Sequence, residues 1–399
     1  MLGGMVDVDV AIVGAGAAGL SLAHRLSRGG GPGGRPLETV LLEPPEGPAR
    51  SPVRTWCFWE REAGEWDAVV SARWERLSVI GPEGEVYEAP AAPLVYKMIR
   101  SPDYERFVRT GLAETVREVT ATVTEILDGP RRAVVRGVDG AGRDLQVRAT
   151  WVFDSRPPRP LPRGTTTLLQ HFRGWFVRTR SDAFVPEAAS LMDLRTPQPR
   201  NGVSFGYVLP VSKREALVEY TEFTREVLDD AGYRRALEHY IGEVLGLGEV
   251  EVTAVEQGAI PMTDARFPRR SGRRVFRIGT AGGATRPSTG YTFSGVQRQT
   301  AAVARALARG RTPVPPCPHR RRHLEMDAVM LRALDTGRVD GADFFARLFR
   351  RNRLADVLGF LDGGSSLGRE LRLGATTPVA PMAATAVERL WFALRPSRS

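Results

Sequence analysis

Cysteine is nearly absent, with only Cys57 and Cys317 in 399 residues. That excludes a disulfide scaffold and a cysteine-built zinc site, and it fits a reducing cytoplasm. Histidine is scarce too, with five in all and no metal-ligand spacing. His319 and His323 stand in an Arg-rich stretch and read as solvated surface. No metal is expected, and no Ser-His-Asp or Cys-His nucleophile set stands out. No apolar run approaches the ~18–20 residues of a membrane span. The opening Met-Leu-Gly-Gly-Met-Val-Asp lacks the basic segment and cleavage site of a signal peptide. Lysine occurs only at Lys97 and Lys213, so arginine supplies almost all of the 56 basic residues that outweigh 46 acids. The formal charge of +10 suits an anionic lipid surface or a solvated exterior. No aromatic-basic motif points to nucleic acid.

What remains is ordinary globular composition, 42% hydrophobic and 26% charged. Val8 to Val13 reads as a buried strand, Ala17 to Arg28 as a helix, and Thr39 to Leu42 as a second strand ending at Glu43. Between strand and helix lies Gly14-Ala15-Gly16-Ala17-Ala18-Gly19. In such a turn the first glycine permits the bend, and the second lets the backbone approach a pyrophosphate. The third lets helix and strand pack closely, and the helix N-terminus offers free N–H groups to the phosphates. An acid closing the second strand, here Glu43, can accept from ribose hydroxyls. This is a dinucleotide-binding βαβ unit with an insert before its second strand. Further strands are expected around residues 77–80, 119–126, 133–138, 145–152, 172–177, 203–209 and 216–221. Helices are expected over 103–110, 229–245 and 295–308, and the chain beyond Pro313 reads as largely helical.

The first unit alone does not separate FAD from NAD. Late in the chain Arg277-Ile-Gly279-Thr280-Ala-Gly282-Gly283 follows a strand and precedes a helix. This resembles the loop by which hydroxylase-like flavoproteins meet the ribityl and phosphate groups of the flavin. Thr280 stands near the place of the usual Asp.

Several segments then occur in an order that resembles one branch of that class. They are Arg54-Thr-Trp56-Cys-Phe58-Trp59-Glu60, Tyr96-Lys-Met-Ile-Arg-Ser-Pro, Val152-Phe-Asp154, Gln170-His-Phe-Arg-Gly-Trp175 and Leu191-Met-Asp193. Tyr207-Val-Leu-Pro210, Leu217-Val-Glu219-Tyr-Thr221, Glu256-Gln-Gly-Ala-Ile-Pro261 and Arg286-Pro-Ser-Thr289-Gly290-Tyr291 follow. Together they resemble the bacterial lycopene β-cyclases, from about Asp7 to about Pro381.

The resemblance implies a non-redox flavoenzyme that uses reduced FAD, with NAD(P)H as reductant. Its substrate would be lycopene or a related linear carotenoid. A proton adds to the terminal double bond of the ψ-end, a carbocation forms, the neighbouring alkene attacks it, and a proton leaves to close the β-ring. Glu219 occupies the position of the family's acid, on a strand among Leu217, Val218 and Tyr220, where desolvation would keep a carboxyl protonated. Tyr220 stands where a second acid often follows, which leaves Glu219 the main candidate and argues against any two-carboxylate scheme. Thr289, Gly290 and Tyr291 are expected at the cofactor. Trp56, Phe58, Trp59, Trp175, Asp193 and Tyr207 are candidates to line the substrate space. For the aromatics the alternative is ordinary core, and for Asp193 it is a bridge to Arg195 or a turn cap.

A hydrocarbon substrate implies contact with a membrane surface. Phe344, Phe345, Leu348 and Phe349, and the tail residues Leu390, Trp391, Phe392 and Leu394, read either as interfacial helices or as core-facing ones with a basic outer face.

The expected fold is α/β: a Rossmann-like FAD-binding domain interleaved with a β-rich substrate domain, plus C-terminal helices. Residues 1–160 and 266–312 form the FAD-binding parts, 161–265 the substrate domain and 313–399 the helical region. The protein is expected in the cytoplasm, peripheral on the inner membrane. Competing readings are a flavin monooxygenase of a small aromatic compound, a prenyl-chain reductase and a non-enzymatic, membrane-associated flavin- or carotenoid-binding protein.

Overall fold

Val10, Ala11, Ile12 and Val13 are all buried, as befits a strand covered on both faces at the centre of a parallel sheet. The computed structural model describes residues 5–61 and 63–394, so the first four residues of the opening segment lie outside it. Strand Val6–Val13 pairs in parallel with Thr39–Glu43 on one side and with Asp144–Asp154 on the other. Val116–Leu127 extends the sheet beyond Thr39–Glu43, and Val275–Arg277 extends it beyond Asp144–Asp154. Ala133–Asp139 runs antiparallel to both long strands and completes a six-stranded sheet. Helices Ala17–Arg28 and Phe293–Ala308 contribute Leu20, Leu22, Val296 and Val303 to one apolar cluster beside it.

The larger sheet has seven strands in the spatial order Val250–Thr263, Thr167–Thr179, Glu215–Thr224, Val203–Pro210, Ala188–Asp193, Arg76–Ile80, Val86–Pro90. The last two come from residues inside the segment 1–160, so the insert of that segment is hydrogen-bonded into the larger sheet. A third sheet of three strands, Thr55–Glu60, Val95–Arg100 and Ala72–Trp74, completes the β structure.

Beyond residue 320 come helices Arg321–Asp335, Gly341–Arg351, Leu354–Leu361, Leu367–Thr376 and Val379–Leu394. Their residues Leu331, Leu334, Phe344, Phe345 and Leu358 share one core with Leu209, Leu217, Phe223 and Met262 of the larger sheet. Phe344, Phe345 and Leu348 are therefore core-facing, and the interfacial alternative for that helix is set aside. The tail differs: Leu390, Trp391 and Phe392 are exposed, while the side chain of Leu394 lies outside the described residues. Among the described residues no helix is long and apolar enough to cross a membrane.

Two further expectations change. His319 and His323 are buried rather than solvated. His319 sits 3.0 Å from the Ala284 carbonyl, and burial pushes its pKa down to about 4. His323 lies 2.7 Å from Glu370. Arg320 and Arg321 beside them are exposed, whereas Arg322 binds the same buried Glu370 as His323, at 2.7 and 2.8 Å. The helix expected over 229–245 is α-helical only for Asp230–His239 and continues as a π turn, Tyr240–Val244.

Candidate active site

One cavity of about 1550 Å³ runs through the molecule. It begins at the first glycine turn, passes Tyr207 and Glu219, and ends among Leu373, Val379 and Met382 of the last two helices.

At its first end, Gly14 has φ +95°, a backbone region that favours glycine. The Gly14 N–H donates to the Leu42 carbonyl at 2.8 Å. Gly19 is required by space, since a Cβ there would lie 1.8 Å from the Gly14 carbonyl oxygen. At Gly16 the opposite holds, with open space where a Cβ would stand. The helix that follows has no side-chain N-cap, so its first N–H groups are free for a ligand's phosphate. Ala15, Ala17 and Ala18 line the same recess, as does Glu43. The Glu43 carboxylate accepts from Arg109 at 2.6 Å and faces Arg50 at 3.3 Å.

The second glycine loop meets this recess. Gly279 and Thr280 line the cavity, whereas Gly282 and Gly283 shape the loop behind them. Gln299, fully buried, accepts from the Gly279 N–H at 3.1 Å and donates to the Gly282 carbonyl at 2.8 Å. Thr289, Gly290 and Tyr291 continue the lining toward Glu219. The uncapped helix, the open space at Gly16 and the second loop beside it fit a dinucleotide cofactor.

Glu219 sits on strand Glu215–Thr224, opposite Tyr207 on one neighbouring strand and Gly174 on the other. The Thr221 hydroxyl donates to Glu219 Oε1 at 2.7 Å. Burial pushes the Glu219 pKa up to about 8, the Thr221 hydrogen bond opposes this, and the charge of Glu256 adds to it. The group is therefore a neutral acid at pH 7 that faces a mainly apolar cavity. Around it the hydroxyls of Tyr207 and Tyr291 both contact that of Tyr96, the latter at 2.8 Å. Burial raises the Tyr96 and Tyr207 hydroxyls well above their ordinary range. Burial also pushes the neighbouring Cys57 thiol up to about 12, which makes it a poor nucleophile.

The proposed lining residues divide. Trp56, Trp59 and Tyr207 line the cavity, with Trp59 edge-on to Tyr291 at 4.6 Å. Phe58 does not; it stacks on Phe293 at 4.7 Å in the core of the smaller sheet. Trp175 does not either. Side chains alternate faces along a strand, and its neighbour Gly174 is the residue level with Glu219, so Trp175 points to the opposite face and packs near Leu237. Asp193 is also off the cavity, fully buried, bound by Arg195 through Nε at 2.9 Å and Nη2 at 2.6 Å. Tyr240 donates to it at 3.0 Å.

Residues 9–387 match the family described as lycopene cyclase protein. The chain belongs to this family. No curated protein matches it. Among solved structures it is similar to a geranylgeranyl bacteriochlorophyll reductase-like protein from Thermoplasma acidophilum, with a TM-score of 0.66 and 12% identity over 96% of this chain and 99% of that one. It is similar to p-nitrophenol 4-monooxygenase PnpA from Pseudomonas putida DLL-E4, with a TM-score of 0.60 and 15% identity over 96% and 97% of the two chains. It is also similar to the flavin-dependent monooxygenase PieE in complex with FAD and substrate, with a TM-score of 0.57 and 18% identity over 96% and 72%. At these identities the likeness is one of fold. The architecture is that of the hydroxylase-like flavoproteins, with C-terminal helices added.

Three features of this member of the cyclase family escape a reading of its sequence. Gln299 sits mid-helix and looks like a surface residue until its contacts to the glycine loop are known. Arg286 and Asp327 form a buried bidentate pair at 2.7 and 2.9 Å. Glu256 is a second buried carboxylate on the cavity; its only signal was its place beside the Gln-Gly-Ala-Ile-Pro segment.

Proposed function

We propose that the protein is a lycopene β-cyclase, which closes the linear ψ-ends of lycopene to β-rings through γ-carotene to β-carotene with no net redox change. The observation that carries this is a buried carboxyl facing an apolar cavity that is continuous with a dinucleotide turn. An alkene is a very weak base, and protonating it needs an undissociated acid away from water. Glu219 is that acid, delivering its proton to the terminal double bond. The faces of Trp56 and Trp59 and the ring of Tyr207 attract the tertiary cation that results. The apolar walls exclude water that would otherwise trap the cation as an alcohol. FAD in its reduced form, held by residues 14–19, Glu43, 279–283 and 289–291, would supply further electron density to that cation, with NAD(P)H as its reductant.

The segments 1–160 and 266–312 serve as the cofactor-binding part and 161–265 as the substrate part. A cytoplasmic protein resting on the inner membrane surface accounts for access to a hydrocarbon. Exposed Leu371 on the cavity lining supports this, as do Leu390, Trp391 and Phe392, exposed on the last helix beyond its lining residue Ala386.

The test is anaerobic turnover of lycopene in liposomes, with FAD and a small amount of reductant, in deuterated water. Each ring closed takes one proton from the acid and loses one from carbon. The expected product is lycopene heavier by one deuterium per ring, with the spectrum of a β-ring carotenoid and reductant needed only catalytically. Consumption of NAD(P)H and oxygen in proportion to an aromatic product, with lycopene returned unchanged, would sink the proposal. Gly19→Ala is expected to force apart the turn that holds the cofactor. The purified variant should show at least a tenfold lower flavin-to-protein absorbance ratio, and retention at the parent level would separate Gly19 from cofactor binding.

A further inference from the structure

Glu219 does not face the cavity alone. Gly174 is the cross-strand partner of Glu219 on one side and of Glu256 on the other. Residues directly opposite in an antiparallel sheet project to the same face. Two carboxylates therefore flank a residue with no side chain, and both line the cavity. A Cβ on Gly174 would lie 2.7 Å from Leu217 Cδ1 and 3.5 Å from Glu219 Oε2, so that methyl and that oxygen both lean over the glycine.

They are held in different ways. Glu219 takes a single hydroxyl donor at Oε1. Glu256 receives a donor at each oxygen, the Thr55 N–H at Oε1 and the Thr55 hydroxyl at Oε2, at 2.8 and 2.5 Å. Acceptance at both oxygens is the pattern of a carboxylate rather than of an acid. An acid and a base thus stand on one face of one sheet, with Gly174 between them.

Resting on the cyclisation proposed above, we infer that Glu256 is the base of the reaction and accepts the ring proton after Glu219 has delivered its own. The Glu219 proton forms the new C–H bond at the terminal alkene carbon. The inner alkene attacks the tertiary cation and forms the ring C–C bond. The C–H bond at the inner carbon breaks, its electron pair becomes the ring double bond, and the proton passes to Glu256. Exchange with solvent then clears that proton from Glu256 and restores one to Glu219, so both groups are reset and no electron is gained or lost. Tyr220 stands in the place of the motif's usual second acid, and the second carboxylate comes instead from Val250–Thr263, which Thr167–Thr179 separates from the Glu219 strand.

The test compares the flavin-loaded parent, Glu256→Gln and Thr55→Val with lycopene in deuterated water. The cationic carbon left within the new ring can lose a proton from any of three adjacent carbons, two in the ring and one a methyl, and only one gives the β-ring. Glu256→Gln is expected to slow ring closure by about 10²-fold or more. Each ring it still forms should carry one deuterium, and the double bond should move from the β position to a neighbouring ring carbon or an exocyclic methylene. A purely structural role would not alter which carbon loses its proton. Thr55→Val keeps the carboxylate but frees one oxygen, and should show the same redistribution to a lesser degree, which covers failure of the glutamine variant to fold. β-rings alone at the parent rate from Glu256→Gln, or β-rings alone at any rate from both variants, would overturn the assignment. A parent that forms no ring refutes the cyclase proposal itself, a separate result.

Discussion

Glu219→Gln is expected to end ring closure while making the protein more stable at alkaline pH. Loss of a general acid costs about 10²–10⁴-fold, and an amide cannot protonate an alkene, so product should fall to background. The amide keeps the shape of the carboxyl and can still accept from Thr221, so flavin content should stay at the parent level. The stability effect follows from linkage. The folded carboxyl titrates at about 8 against an ordinary 4.5, so the native chain retains a proton that the unfolded chain releases. Stability is full below pH 4.5 and falls as the pH rises toward 8, after which the whole cost is felt. Removing the carboxyl relieves that cost, on the order of 5 kcal/mol at pH 9. Thermal melts of parent and variant at pH 5 and pH 9 test this. The variant should gain at pH 9 and not at pH 5, while the parent's turnover should decline above about pH 8. A parent-like rate in the variant would remove Glu219 from the mechanism. Equal melting temperatures at pH 9 would show that burial does not hold its proton.

The second large effect is expected at Arg286. Its guanidinium binds Asp327 through Nε and Nη2 and reaches the carbonyls of Phe360 and Leu361 at 3.0 and 3.1 Å through Nη1. Its backbone N–H donates to the Tyr291 carbonyl, and its carbonyl accepts from the Gly290 N–H. One residue thereby fastens the loop carrying Tyr291 to two of the C-terminal helices. Arg286→Ala leaves Asp327 charged and unpaired in the interior, a change that costs about 3–5 kcal/mol. The double variant Arg286→Leu, Asp327→Leu removes both charges and should recover a large part of that loss. Urea unfolding of the three proteins measures both effects. A single variant within about 1 kcal/mol of the parent would rank this pair with surface bridges.

The first βαβ unit is legible in the sequence because local signals agree there. A run of apolar residues, two helix-flanking glycines and a short return strand leave few alternatives, and the helix spans Ala17–Arg28 as expected. Glu219 is singled out by its resemblance to the family's acid, and the structure buries it on the cavity wall. What could not be read depends on which strands are neighbours. Gly174 and Trp175 are adjacent in sequence, and only register decides that the glycine, not the tryptophan, faces the cavity. The same register brings Glu256 level with Glu219 from another strand. The outer strand Val250–Thr263 alternates many exposed residues with few buried ones, so it lacks the apolar signal that marks a central strand. For the Gly341–Arg351 helix, the phenylalanines suit a membrane or a core equally well, and the choice is made by the sheet against which they pack.

The cavity lining draws on residues from Val13 to Ala386. A chain emerging from the ribosome must therefore carry an unroofed apolar trough, with Leu217, Phe223 and Ile260 uncovered, until almost its last helix has been made. Surface of that kind associates with other chains at cellular concentrations. Yield of the active protein should then depend on chaperones that shield nascent chains, and on the pace at which the final stretch of message is translated.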